Sequence, residues 1–136
     1  MSKVLVDTNV LVYAIDADSK YYEKSRSLLF DPTKEVFTTS KNIAEFLSVL
    51  TRAKKSISIE DAVKTADDFS HFISVIYPDA RSFSLFKRLL LRHKPSGLTV
   101  HDMEIASIAL SNYISCIATF NTKDFAAIDG IQLYDF

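Results

Sequence analysis

The apolar run VLVDTNVLVYA near the start of the chain carries an aspartate, Asp7, in its middle, with no lysine or arginine between Lys3 and Lys20. A carboxylate in apolar surroundings is costly unless a cation or strong hydrogen-bond donors meet it. Three further acids invite the same question: Glu45 in NIAEFLSVLTR, Asp102 in LTVHDMEIASIAL and Asp124 in NTKDF. Each has a plain explanation. Asp7 could cap a helix beginning at Thr8 or Asn9, and Asp102 could join Thr99 in a capping box. Glu45 could pair with Lys41 four residues earlier, and Asp124 could be a loop residue beside Lys123. Brought together, however, three or four carboxylates repel one another and take up protons unless a cation sits among them. Mg²⁺ or Mn²⁺ is the natural candidate, being a hard ion that prefers oxygen ligands and keeps several waters. Zinc fits less well, because there is one cysteine and His71, His93 and His101 form no spaced ligand set.

The elements that would position these acids follow from hydrophobic periodicity. KVLV (residues 3–6) is β-branched-rich and ends at Asp7, which predicts a buried strand followed by a turn at Thr8 and Asn9. A helix is expected over Ser19 to Phe30, ending at Asp31-Pro32, and a second strand at EVFT (35–38). In SKNIAEFLSVLTRAKK, Ile43, Phe46, Leu47 and Leu50 recur at helical spacing. Ser58-Ile59-Glu60-Asp61 has the form of a capping box and opens a long amphipathic segment through Ala62, Ala66, Phe69, Ile73 and Ile76. Helices are expected at Ala80 to His93 and Thr99 to Asn112, and strands at ISCIAT (114–119) and IQLY (131–134). Short buried strands alternating with helices predict an α/β fold with a mostly parallel sheet covered on both faces. The crevice of such a sheet lies at the carboxyl ends of its strands. Asp7, Glu45, Asp102 and Asp124 all fall at strand C-termini or in the first turns that follow them.

Composition sets the outer bounds. With 136 residues, 48% hydrophobic and 24% charged, two glycines and three prolines, the chain reads as one globular domain over 1–136 without linkers or repeats. Cys116 lies in an apolar run and cannot form an internal disulfide, so a buried thiol in a reducing compartment is expected. No apolar stretch approaches the roughly 20 residues that span a bilayer, and no signal-type segment opens the chain, so a cytoplasmic location without membrane attachment is the expectation. The net charge of −1 hides an uneven distribution: Ala80 to Val100 holds Arg81, Lys87, Arg88, Arg92, His93 and Lys94 and no acid. That stretch reads either as a solvated helix face or as a surface for a polyanion.

The four motifs together, VLVDTNVLVY, NIAEFLSVLTR, LTVHDMEIASIAL and IATFNTKDF, resemble in order those of the PIN-domain family, and in particular the VapC-like toxin ribonucleases of toxin–antitoxin modules. The likeness runs from about residue 3 to residue 134. It implies a three-layer α/β/α sandwich and a Mg²⁺- or Mn²⁺-dependent nuclease site acting on RNA, in which Asp7, Glu45, Asp102 and Asp124 are catalytic metal ligands. Thr8, Asn9, Thr119 and Asn121 match the supporting polar positions, although some members carry an aspartate at the position of Asn121. Arg52, Lys54, Lys55, Lys87 and Arg88 are candidates for contacts to RNA phosphates. A small antitoxin, docked in a groove near the helices of residues 20–76, and a homodimer are the partners the resemblance implies. Two other readings stand beside it: a PIN domain that binds RNA or protein without cleavage, for which Asn121 is the argument, and a phosphatase or phosphoacceptor domain with Asp7 as nucleophile. Against the latter, DTN lacks a second aspartate; no glycine-rich phosphate loop points to an NTPase either.

Overall fold

Strand β1 (Ser2–Val6) sends Val4 and Val6 to one face of the sheet and Leu5 to the other, the two-residue alternation of a strand buried on both sides. The computed structural model describes residues 1–52 and 56–136. After β1 come α1 (Thr8–Tyr13), α2 (Tyr22–Leu29), β2 (Lys34–Thr39), α3 (Ser40–Arg52), α4 (Ile59–Phe69) and β3 (Ser74–Ile76). The chain continues through α5 (Ala80–His93), α6 (Thr99–Ser111), β4 (Cys116–Ala118), a single 3₁₀ turn (Thr122–Asp124) and β5 (Gln132–Leu133). Among the described residues the five strands form one sheet in the order β3-β2-β1-β4-β5, with every pairing parallel.

Two apolar layers cover it. On one face Val4, Val6 and Val36 pack with Val10, Leu11, Leu28, Phe46 and Phe69 from α1 to α4. On the other, Leu5 and Ile117 pack with Leu89 of α5 and Met103, Ile105, Ala106 and Ala109 of α6. This is the expected α/β/α sandwich. Helix α6 buries Met103 and every residue from Ile105 to Ala109, because it packs against both the sheet and α5. The large side chains with no exposure, among them Phe46, Phe125 and Leu11, each contribute about 1.5–3 kcal/mol of burial.

Asp7 does cap a helix beginning at Thr8, as the sequence allowed: Thr8–Tyr13 makes nearly two turns, and Asp7 accepts from the Thr8 N–H. Three expectations need correction. Helix α4 does start from the Ser58 cap, but it ends at Phe69, where the Ser70 N–H reaches the carbonyls of Ala66 and Asp67. Ile73 and Ile76 therefore do not continue it; Ile76 lies in β3, the edge strand, paired with Thr39. Cys116, first residue of β4, is half-buried rather than enclosed, though burial still pushes its thiol pKa up. Finally, α6 begins at Thr99 and its N-cap, Leu98, makes no side-chain cap, so Asp102 forms no capping box with Thr99.

Candidate functional site

The carboxyl edge of the sheet is where β1 stops. The Asp7 N–H donates to the Ala118 carbonyl at 2.9 Å, which carries the β1–β4 ladder one residue beyond Val6 and brings Asp7 beside Thr119. Only 9% of Asp7 is exposed, yet it is well supplied with donors. Its Oδ1 accepts from the Thr8 N–H at 2.8 Å and from Asn42 Nδ2 at 3.2 Å, and its Oδ2 accepts from Thr119 Oγ1 at 2.9 Å. The lysine or arginine that the sequence lacks here is thus replaced in part by three neutral donors. They do not suffice to keep its affinity for protons ordinary. Burial raises the pKa, the Thr119 and Thr8 hydrogen bonds lower it, and repulsion from Glu45 and Asp124 raises it again.

Around Asp7 the supporting residues interlock. Asn9 donates from Nδ2 to Thr119 Oγ1 at 3.1 Å and accepts the Phe120 N–H at 3.2 Å, while the Asn121 N–H donates to Thr119 Oγ1 at 3.0 Å. The Thr8 hydroxyl donates to Glu45 Oε2 at 3.3 Å from the first turn of α1 to the second turn of α3. Asn121 donates through Nδ2 to Asp124 Oδ2, so the amide in place of a further carboxylate orients its neighbour rather than adding charge. Asp102, in the first turn of α6, accepts no hydrogen bond among the described residues. Its pKa is pushed up to about 7, by burial first and then by repulsion from Asp124, Asp7 and Glu45. Lys41 pairs not with Glu45 but with Glu104 of α6, at 3.3 Å.

All four predicted acids line one cavity of about 570 Å³, together with Thr8, Asn9 and Asn121. Arg52 and His101 also line it. Lys87 and Arg88 do not. Lys87 lies over the Phe83 ring, and Arg88 lines a second cavity between α5 and α6. Lys54 and Lys55 fall outside the described residues. One functional residue escaped the sequence reading: Asn42, fully buried and bonded to both Asp7 and Thr8. The signal for it was the spacing Thr39-x-x-Asn42, a capping box at the end of a strand.

The donor chemistry fits a hard divalent cation, since four mutually repelling carboxylates share a cavity and no basic side chain is bonded to any of them among the described residues. Among those residues, no three His, Cys, Asp or Glu side chains already close into a metal-holding group.

Comparison with known proteins places this arrangement. The family model of the PIN domain matches residues 4–131. The chain belongs to the PIN-domain family. Solved structures share the PIN fold over nearly its whole length: VapBC2 from Rickettsia felis bound to a promoter DNA fragment matches at TM-score 0.75 and 24% identity, covering 98% of each chain. VapBC-1 from nontypeable Haemophilus influenzae matches at TM-score 0.72 and 22% identity, over 98% of this chain and 97% of the other. VapC20 from Mycobacterium tuberculosis, described as a sarcin–ricin loop cleaving toxin, matches at TM-score 0.72 and 17% identity, over 94% of this chain and 98% of that one. These identities establish a shared fold. No curated protein matches the chain by sequence. Among the described residues of this PIN domain, no helix is long and apolar enough to cross a membrane.

Proposed function

We propose that this PIN domain is a Mg²⁺- or Mn²⁺-dependent endoribonuclease, the toxin of a VapBC-type module. The observation that carries the reading is the cavity itself: Asp7, Glu45, Asp102 and Asp124, from four separate parts of the chain, line one crevice, where the neighbouring acids raise the proton affinity of Asp7 and Asp102. A bound divalent ion supplies a nucleophilic water near neutral pH and neutralises charge on a scissile phosphate. The chain's own residues do the rest. Thr8, Asn42 and Thr119 hold the Asp7 carboxylate, Thr8 orients Glu45, and Asn121 orients Asp124. Asp102, whose pKa of about 7 leaves it about half protonated at neutral pH, would hold a divalent cation in its carboxylate form. Arg52, which lines the same cavity, would contact a phosphate of the RNA.

The antitoxin and dimer belong to the same reading. Exposed apolar side chains occur within residues 20–76: Phe30 and Phe72, just past the ends of α2 and α4, pack edge-on at 4.9 Å, and Ile59 and Val63 are exposed on α4. An amphipathic antitoxin segment would cover them. An aspartyl-phosphate enzyme fits less well, since both oxygens of Asp7 accept hydrogen bonds and the residue is nearly enclosed. The test is incubation of purified protein with a structured RNA, a sarcin–ricin-type loop first, then a mixed pool, with Mg²⁺, Mn²⁺ or EDTA. Cleavage that requires metal and is abolished in Asp7→Asn and Asp102→Asn is expected. Binding without cleavage would point to the non-cutting domain, and equal cleavage by wild type and variants would refute the site.

A further inference from the structure

We infer that Asn42, an uncharged residue on α3, is a positioning residue for both Asp7 and Glu45. The inference rests on the cation reading above and adds to it the part that holds two of the acids in register. Thr39 closes β2 and Asn42 is the third residue of α3, so the pair forms a reciprocal cap. The Asn42 N–H donates to Thr39 Oγ1 at 3.1 Å, and the Thr39 N–H and hydroxyl both donate to Asn42 Oδ1, at 3.3 Å and 2.6 Å. These two donors occupy the amide oxygen and fix which way the amide faces. Its Nδ2 must then point the other way, where it meets Asp7 Oδ1 at 3.2 Å and Thr8 Oγ1 at 3.0 Å. A flipped amide would set its oxygen against a carboxylate oxygen and its NH₂ against a backbone N–H.

Cap formation alone does not call for an amide. A carboxylate would accept the same two hydrogen bonds from Thr39, and it is the acidic or amide oxygen that a cap of this kind uses. What the amide adds is the NH₂. One of its hydrogens holds Asp7 Oδ1 beside the Thr8 N–H, leaving Oδ2 with a single donor, Thr119. Its other hydrogen fills a lone pair of the Thr8 hydroxyl, whose proton is then directed at Glu45 Oε2 at 3.3 Å, nearer than the alternative acceptor, the Asn42 carbonyl at 3.5 Å. One buried amide thereby ties the start of α3 to the carboxylate that caps α1 and to the one on its own second turn. With no exposure to water, it has no solvent to exchange these partners for.

Asn42→Asp keeps the cap acceptor and the volume but replaces the NH₂ by an oxygen, which also adds a negative charge beside Asp7 Oδ1. Asn42→Ala removes the cap acceptor and the NH₂ and adds no charge. For wild type and both variants, Mn²⁺ affinity is measured by calorimetry, RNA cleavage as kcat and KM, and folding by thermal melting. Asn42→Ala should bind Mn²⁺ about 10–100-fold more weakly, the usual cost of losing a residue that orients a ligand. In both variants the loss in cleavage should fall on kcat rather than KM. A folded Asn42→Ala protein with wild-type or tighter Mn²⁺ affinity, or a folded Asn42→Asp protein with wild-type kcat, would overturn the inference. If neither variant folds, Mg²⁺ titration of ¹⁵N-labelled wild type decides: the Asn42 side-chain NH₂ signals should move, and signals that stay fixed overturn it. Wild type that binds Mn²⁺ without cutting RNA would remove the nuclease reading alone, whereas wild type that binds no Mn²⁺ would remove both.

Discussion

Replacing Asp102 by asparagine should stabilise the metal-free protein while abolishing its activity. Asp102 carries no hydrogen bond that would reward its charge and faces three other acids, so its pKa stands at about 7 against an ordinary value of 3.8. The sign follows directly. A carboxyl that binds its proton more tightly in the folded state opposes folding more and more as pH rises from about 4 to about 7, and by a constant amount above that. At about 1.4 kcal/mol per pH unit, full enclosure would make this about 4 kcal/mol. Asp102 is only half-buried, and solvent screening reduces the figure to about 1–2 kcal/mol. For a chain of this length that corresponds to about 3–7 °C in melting temperature. The assay is thermal unfolding of wild type and Asp102→Asn in EDTA at pH 8 and pH 4.5. The variant should melt higher at pH 8, and most of the difference should vanish at pH 4.5. Adding Mg²⁺ at pH 8 should raise wild type but not the variant, by mass action on the folded state. An Asp102→Asn protein that melts below wild type at pH 8, or that keeps the same gain at both pH values, would refute the picture of uncompensated carboxylates.

Thr119→Val should cost about 2–3 kcal/mol in urea unfolding, since it leaves the Asn9 and Asn121 donors and one side of Asp7 unpaired, and it should lower cleavage more than RNA binding. Arg52→Ala should weaken RNA binding in a filter or anisotropy assay and reduce the salt dependence by about one phosphate contact, with melting unchanged. Phe46→Ala, which empties a fully buried site against Phe69, should destabilise by about 3–5 kcal/mol as measured by denaturant unfolding.

The parts legible in the sequence were those whose signal is local and repeated. KVLV and EVFT declared themselves as strands by β-branched runs, and the acids stood out because each followed a strand or opened a helix. Their convergence then follows from parallel topology rather than from any contact between neighbours in sequence. The segment after Phe69 was misread for a definable reason. Phe69, Ile73 and Ile76 fall at spacings of four and three, which a helix and a short half-exposed edge strand satisfy equally, and only the Ser70 terminus separates them. Pairing partners were similarly hidden: Glu45 has Lys41 one turn away, yet Lys41 turns to Glu104, a residue of α6 that periodicity could not bring near. Asn42 was overlooked because an amide carries no charge to explain, and its importance appears only once Asp7 and Thr8 lie within reach.

The sheet order has a consequence for the protein's birth on the ribosome. Strand β1 is made first and ends as the central strand, flanked by β2 on one side and by β4, residues 116–118, on the other. Asp7, which follows it, therefore waits for Thr119 and Asp124 until those residues have been synthesised. Chains emerge at about 5–20 residues per second and fold from the N-terminal end. A nascent fragment can bury its first helices against β1 and β2 and still lack one whole wall of the crevice. On the nuclease reading proposed above, a chain made in this order brings its four acids together only once residue 124 has been added.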